Sequence, residues 1–185
     1  MDVRFFYNKN PLLVMSYISK FNGKSKEVAA SNISKHLGLS IGSVYNILKE
    51  FNNAGLIIGE KIGRATIYEP IRSNPLLKQF RIFDNLLFLN NLVQQLKNFT
   101  RKIILFGSCA RGDDTIESDL DLFLLVDEEL QPKVRGIISD YPSEREINAV
   151  IIDSAELLEM QSKDQVFYEE IWKGITLWSE NNEYY

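Results

Sequence analysis

Two short polar motifs constrain the fold of this chain more than any other feature. The first is Phe106-Gly107-Ser108-Cys109-Ala110-Arg111-Gly112, and the second follows after five intervening residues as Ser118-Asp119-Leu120-Asp121. Residues 102–106 read as a buried strand, so the Gly-Ser turn after it allows backbone N–H groups to approach an anion. Alternation along the next strand aims Asp119 and Asp121 in the same direction. The motifs predict a site for a phosphate and a metal.

The charge is divided unevenly along the chain. Residues 1–100 carry 13 Lys+Arg against 6 Asp+Glu, a balance of +7, whereas residues 101–185 carry 8 against 19, a balance of −11. This division predicts a basic part suited to polyanions and an acidic part that needs cations. A single Cys cannot form an intramolecular disulfide, and one Cys with one His cannot build a structural zinc site. Because the sequence has neither an apolar run of about 18 residues nor a signal-peptide core, we expect a cytoplasmic protein with no membrane partner.

The first 70 residues predict three helices and a hairpin. The helices span about 10–21, 25–36 and 40–54, with Gly38 stopping the second and Ser40 capping the third. Residues 56–70 read as two short strands around a glycine turn. The segment from about 8 to 72 resembles the winged helix-turn-helix family of regulators. That resemblance rests on Ser40, Val44-Tyr45, Ala54-Gly55-Leu56-Ile57, Gly63-Arg64 and Tyr68.

A winged helix of this kind implies binding to double-stranded DNA. The predicted contacts share exposure on the third helix or the wing, and they are Ser40, Ser43, Tyr45, Asn46, Lys49, Lys61 and Arg64. A homodimer is expected, because such regulators commonly bind two half-sites. The set has few basic side chains, so use of this segment for protein contacts or dimerisation alone stays open.

Residues 74–98 predict one long helix whose apolar residues cover more than one face. Two interpretations stay open, a connector docked on a sheet and a dimer helix. The expected domains are a winged helix-turn-helix domain at 1–73, a connecting helix at 74–100 and a second domain at 101–185.

The second domain predicts strands at 102–106, 119–126 and 145–152 and helices at 128–141, 154–161 and 164–178. The fold class is therefore α+β, with a small mixed sheet covered by helices. Trp172 and Trp178 are both expected in the last helix. Asp113 and Asp114 are expected to solvate a loop, the pair Glu169-Glu170 to form an exposed face, and Cys109 to fill space.

Residues 101–152 resemble the polymerase-beta-type nucleotidyltransferases, and more narrowly the minimal nucleotidyltransferases. The resemblance rests on Phe106-Gly107-Ser108 and Asp119-Leu120-Asp121-Leu122, and Ala110-Arg111-Gly112 and Ser118 extend it. It implies Mg²⁺ or Mn²⁺ on Asp119 and Asp121 and a nucleoside triphosphate, ATP, as substrate. Gly107, Ser108, Arg111 and Ser118 are the predicted nucleotide-binding residues, with Arg111 neutralising charge on the pyrophosphate.

The resemblance also implies a third carboxylate on the following strand, where this chain has Asn148. An amide is no general base and a poorer metal ligand than a carboxylate. Glu146 lies two residues earlier on the same face and is the expected substitute, whereas Asp153 has the opposite parity. The predicted catalytic residues are therefore Asp119, Asp121 and Glu146.

These features predict a DNA-binding regulator whose second domain binds a Mg-nucleotide and transfers a nucleotidyl group to a hydroxyl of a protein or another acceptor. The resemblance also implies a toxin–antitoxin setting with a HEPN-type toxin as partner. The alternative is a second domain without catalysis that senses nucleotide or mediates assembly.

Overall fold

The computed structural model describes residues 5, 8–23, 25–63 and 65–180. The chain divides into two compact units, Met1–Arg81 and Ile82–Tyr185. The division falls inside one long helix, α4, which spans Pro75–Leu96. None of the described helices is long and apolar enough to traverse a lipid bilayer.

Before α4, the described residues of the first unit form three helices and a hairpin, as the sequence predicts. Helix α1 spans Lys9–Ser19, α2 spans Ala30–Leu37 and α3 spans Ile41–Asn53, and strands β1 (Ile57–Ile62) and β2 (Ala65–Pro70) pair antiparallel. Gly38 ends α2 in the left-handed conformation, and the Ser40 hydroxyl accepts a hydrogen bond from the Ser43 N–H to cap α3. Both predicted helix boundaries are therefore confirmed.

One predicted helix of this unit is divided in two. Residues 25–36 form a 3-10 turn, Lys26–Val28, followed by α2, because Ala29 between them is extended (φ −89°, ψ 146°). Ala29 forms an isolated antiparallel bridge with Ile67 of β2, which joins the helices to the hairpin. The unit's core is formed by apolar side chains that include Val14, Ile18, Ile33, Val44, Leu48 and Phe51.

The second unit is built on a four-stranded mixed sheet with the order β5-β4-β3-β6. Its strands are β3 (Lys102–Phe106), β4 (Leu120–Leu125), β5 (Ile147–Ile152) and β6 (Ile175–Ser179). Strand β3 pairs antiparallel with β4 and β6, whereas β4 and β5 are parallel. The predicted mixed sheet is confirmed. The helices are α5 (Gly107–Arg111), α6 (Gln131–Ser139), α7 (Ser154–Lys163) and α8 (Gln165–Trp172), with 3-10 turns at Lys97–Phe99 and Glu128–Leu130.

Apolar clusters cover both faces of this sheet. On one face, Leu89, Leu92 and Leu96 of α4 pack with Ile103 and Leu105 of β3, as the connector interpretation of this helix predicts. On the other face, a second cluster joins Ile104, Phe106 and Phe123 of the sheet to Phe167 and Ile171 of α8. Side chains of one parity along β3 and β4 therefore face α8, and that parity includes Asp119 and Asp121.

The prediction of one helix over residues 164–178 is wrong. Helix α8 ends at Trp172, and residues 175–179 form β6, in which the Trp178 indole donates to the Thr100 carbonyl at 3.3 Å. Gly174 lies between the helix and the strand, and the position requires glycine, since a Cβ there would lie 2.4 Å from the Leu105 carbonyl oxygen. The sequence Ile-Thr-Leu-Trp-Ser is also rich in side chains that favour strands.

Candidate active site

The Gly-Ser turn brings a backbone glycine against a carboxylate. Strand β3 ends at Phe106, and Gly107 follows with φ +69°, a left-handed conformation that favours glycine. A Cβ on Gly107 would lie 2.3 Å from Oδ2 of Asp121. The turn therefore requires glycine twice, once for its backbone conformation and once for the space that the Asp121 carboxylate occupies.

The two aspartates of the second motif lie together at the start of β4. Asp119 directly precedes the strand, Asp121 is its second residue and pairs with Phe106 of β3, and both side chains are half-buried. Burial raises the pKa of the Asp121 carboxyl. A hydrogen bond from Asn148 lowers that pKa, the negative charge of Asp119 raises it, and Arg111 lowers it. A cation bound between Asp119 and Asp121 would offset the repulsion between their like charges.

Strand β5 brings an amide to these carboxylates. In the parallel register Asn148 is the partner of Asp121, and its Nδ2 donates to Oδ2 of Asp119 at 3.1 Å. The amide thus interacts with both aspartates. Asn148 lies where the resemblance implies a carboxylate, and in this structure it donates a hydrogen bond to Asp119 and lowers the pKa of Asp121.

Glu146 lies beside the site through its backbone. Its carbonyl accepts from the Leu120 N–H at 2.9 Å, and its side chain is exposed. Within the part of the chain that the structure describes, no three His, Cys, Asp or Glu side chains cluster closely enough to hold a metal. The structure therefore unites Asp119, Asp121 and Asn148, and the part of Glu146 as third carboxylate stays a prediction.

The predicted nucleotide-binding residues lie around the turn and differ in exposure and in bonding partners. Arg111 is exposed and forms ion pairs with Glu170 of α8 and, at 3.8 Å, with Asp113. Ser108 is half-buried in the turn, whereas the Ser118 hydroxyl accepts from the Thr115 N–H at 2.9 Å and so fastens its own loop. Glu170 is therefore an ion-pair partner rather than part of a purely solvated face.

The donor set fits a divalent cation that is bound together with a nucleotide. Mg²⁺ is usually held by one or two carboxylates, with phosphates and water completing its shell. Asp119 and Asp121 supply two carboxylates on one face, and Gly107 keeps the space against Asp121 free of a side chain. These residues could hold Mg²⁺ or Mn²⁺ without a third protein carboxylate.

A buried polar network beside the site has no counterpart in the sequence predictions. Asp114 was expected to solvate its loop, yet its side chain is fully buried, with Oδ2 at 3.6 Å from Nη1 of Arg145. Arg145 also donates to Ser118, Asn85 and Cys109. Burial raises the pKa of the Cys109 thiol, in keeping with its expected space-filling place. An Arg shortly before a strand does not indicate in the sequence that its side chain will join such a network.

The residues predicted to contact DNA lie in the first unit. On α3, Tyr45, Asn46 and Lys49 are exposed and Ser43 is half-buried, while Ser40 is exposed at the cap. Lys61 is exposed on β1. Arg64 lies outside the described residues. The structure thus presents five of these side chains to solvent on α3, its cap and β1.

Comparison with known proteins places a nucleotidyltransferase domain on the second unit. The family model described as polymerase beta nucleotidyltransferase matches residues 89–183, about half of the chain. A candidate protein adenylyltransferase from Methanocaldococcus jannaschii is 50% identical over 40 residues, 22% of this chain and 40% of the relative. The chain thus spans about two fifths of that relative's length. No solved structure matches the chain. With the glycine turn and paired aspartates inside the matched segment, the chain belongs to the polymerase beta nucleotidyltransferase family.

Proposed function

We propose that this protein transfers a nucleotidyl group from a Mg-nucleoside triphosphate, ATP, to a hydroxyl on a protein or another acceptor. One observation carries the proposal: Gly107 in the left-handed conformation lies against the Asp121 carboxylate, and Asp119 supplies a second carboxylate beside it. A phosphate-accommodating turn beside two acids on one strand face fits a metal-bound triphosphate.

Each residue of the site has a proposed part. Asp119 and Asp121 hold the metal, which when bound neutralises charge on the phosphates and orients them for in-line displacement. Gly107 and Ser108 hold phosphate through backbone N–H and hydroxyl groups. Arg111 neutralises charge on the departing pyrophosphate, a task that suits a planar guanidinium.

The transfer step balances without an additional reagent. The acceptor oxygen forms a bond to the α-phosphorus, and the bond from that phosphorus to the bridging oxygen breaks. Pyrophosphate leaves with the electron pair of the broken bond, and the hydroxyl proton passes to a base. Glu146 is the proposed base, since Asn148 cannot accept a proton at neutral pH. The likeness to a candidate protein adenylyltransferase supports a protein hydroxyl as acceptor and ATP as donor.

Transfer of label from ATP tests this function. The full chain is incubated with Mg²⁺ and ATP labelled at the α-phosphate, with and without candidate protein acceptors. We expect label on the acceptor, lost in Asp119→Ala and Asp121→Ala variants and retained in Asp127→Ala, a control aspartate that pairs with Arg101 instead. Label transfer that survives both active-site substitutions would contradict the proposal.

A nucleotide sensor without catalysis is the second candidate, and Asn148 is the observation that favours it. The amide bonds to Asp119 where a third carboxylate is expected, so the site could bind Mg-ATP without completing transfer. Tight ATP binding with no label transfer would support the sensor. Separate Glu146→Gln and Asn148→Asp variants distinguish the two: loss of transfer on Glu146→Gln assigns the base, whereas transfer gained on Asn148→Asp shows that the native site lacks one.

The proposed setting of this domain is a DNA-binding regulator. Three helices, a capped α3 and an antiparallel hairpin support a winged helix over residues 1–73, followed by a connecting helix at 74–100 and the nucleotidyltransferase domain at 101–185. The basic balance of residues 1–100 supports double-stranded DNA as partner. A homodimer, a HEPN-type toxin partner in a toxin–antitoxin pair and a cytoplasmic location complete the proposal.

A further inference from the structure

Arg145 is a largely buried cation whose donors connect three segments of the second unit. Its side chain is 12% exposed, and both Nε and Nη2 donate to the Ser118 carbonyl, at 2.9 and 2.7 Å. Nη1 donates to Oδ1 of Asn85 at 2.9 Å, and Nη2 donates to Sγ of Cys109 at 3.0 Å. The guanidinium also lies 3.6 Å from the fully buried carboxylate of Asp114.

These contacts fix the main chain on both sides of Asp119. The Ser118 carbonyl held by Arg145 belongs to the peptide bond immediately before Asp119. The Asp119 carbonyl in turn accepts from Sγ of Cys109 at 3.1 Å, and the Cys109 carbonyl accepts from Nδ2 of Asn85 at 3.2 Å. Movement of Arg145 would therefore release the peptide units that determine where the Asp119 carboxylate lies.

Charge balance alone does not explain this arrangement. A buried ion pair contributes little net stability when its desolvation cost is counted, so the pair with Asp114 is weak evidence of a stabilising purpose. Two donors of Arg145 converge on a single carbonyl, a fork geometry that a lysine ammonium cannot reproduce. None of the contacts that Arg145 makes in the described chain reaches the carboxylate of Asp119 or of Asp121.

We propose that Arg145 is a positioning residue that holds Asp119 in place for the metal. The inference rests on the proposed function, because it assigns Asp119 to a divalent cation. Residues that orient metal ligands typically change metal affinity by about 10–100-fold when they are replaced. Arg145→Lys keeps the charge beside Asp114 but loses the fork on the Ser118 carbonyl, so we expect a loss of Mn²⁺ affinity in that range.

Mn²⁺ titration of the full chain, followed by electron paramagnetic resonance, tests the inference without a turnover assay. Arg135→Lys is the matched control, since Arg135 of α6 donates to the Ile151 carbonyl at 3.3 Å, away from Asp119. Thermal unfolding of every variant is measured in parallel. We expect weakened Mn²⁺ binding for Arg145→Lys and unchanged binding for Arg135→Lys. A folded Arg145→Lys variant that binds Mn²⁺ like the wild type would overturn the positioning role.

A double-variant cycle separates positioning from general stability. If Arg145 acts through Asp119, Arg145→Lys causes little further loss in an Asp119→Asn background, which keeps the Asp121 ligand. Additive losses would overturn the inference. Should Arg145→Lys not fold, Arg145→Gln with Asp114→Asn removes both charges together, and the same comparison applies; failure of both to fold would assign Arg145 to stability alone. Absence of Mn²⁺ and Mg-ATP binding by the wild type would instead refute the proposed function.

Discussion

At the scale of single residues, the candidate active site depends on the lack of a side chain at position 107. Gly107 permits both a left-handed turn and the approach of the Asp121 carboxylate. The sequence predicts the turn and the shared face of Asp119 and Asp121, because both follow from local rules about glycine and strand alternation. It does not predict that the glycine and the aspartate touch, since this contact depends on the pairing of β3 with β4.

Gly107→Ala is expected to weaken Mn²⁺ binding at least about tenfold. The added Cβ would displace the Asp121 carboxylate, and the left-handed conformation adds a penalty of about 1–2 kcal/mol for a non-glycine residue. Mn²⁺ titration together with thermal unfolding measures both effects.

Gly136→Ala is the control for that substitution. Gly136 lies in α6 with open space around its Cβ position, so the variant should bind Mn²⁺ normally and gain about 0.4–1 kcal/mol of stability. Normal Mn²⁺ binding by a folded Gly107→Ala variant would show that the contact with Asp121 does not shape the site.

The residues that the sequence did not predict, Arg145 and Asp114, were missed for one physical reason. Arg145 lies 27 residues from Ser118 and 60 from Asn85, and no periodicity connects such distant positions. Asp114 looks like a loop residue until Arg145 is placed beside it, because an aspartate is rarely buried without a charged partner. Long-range polar contacts of this kind are determined by the tertiary structure alone.

At the scale of elements, the sequence predicts most helices and strands of both units. Apolar periodicity, caps and glycines define α1, α3, α4 and the strands β3 to β5 within a few residues. Strand β6 is missed because the apolar pattern of residues 165–178 begins with helical spacing and changes to a strand-like pattern at its end. Gly174 marks the change, and its packing against the Leu105 carbonyl is again a contact between distant residues.

We expect the carboxylate that helix α8 supplies to compete with pyrophosphate for Arg111. Glu170 forms an ion pair with the guanidinium proposed to bind pyrophosphate. Glu170→Gln should therefore tighten Mg-ATP binding, by at most about fivefold, because exposed ion pairs contribute about 0.2–1 kcal/mol. Calorimetric titration with Mg-ATP measures the change.

Glu169→Gln provides the comparison on the same helix, since Glu169 accepts from Gln165 rather than from Arg111. This variant should bind Mg-ATP like the wild type. Weaker binding on Glu170→Gln would mean that Glu170 holds Arg111 in its binding position, the opposite of competition.

At the scale of the whole molecule, the two parts of the chain carry opposite net charges, and each suits a different kind of proposed partner. The basic balance of residues 1–100 suits a polyanion, and the acidic balance of residues 101–185 suits a cation. Each apolar cluster of the described residues lies within one unit, one in the first and two in the second, which agrees with a chain of two parts. These sums predict classes of partner, whereas no operator sequence or acceptor follows from them.

DNA binding by the full chain should be strongly dependent on salt. Lys49→Gln and Lys61→Gln, which remove exposed cations of α3 and β1, should each weaken duplex binding and reduce the slope of log affinity against log salt by about one. Fluorescence anisotropy with a labelled duplex at several salt concentrations measures the slope.

Lys173→Gln, an exposed cation just after α8, should leave that slope unchanged. If the wild-type chain binds no duplex at low salt, the regulator part of the proposal is refuted, while the nucleotidyltransferase proposal is unaffected.

The contact between Gly107 and Asp121 also restricts how the family can vary. A methyl group at position 107 and a carboxylate at position 121 compete for the same volume, so neither residue can change independently without cost. Among aligned relatives, substitution of the glycine should therefore accompany loss of the aspartate. Proteins in which both have changed together would have abandoned metal binding, and this pair of positions would identify them from sequence.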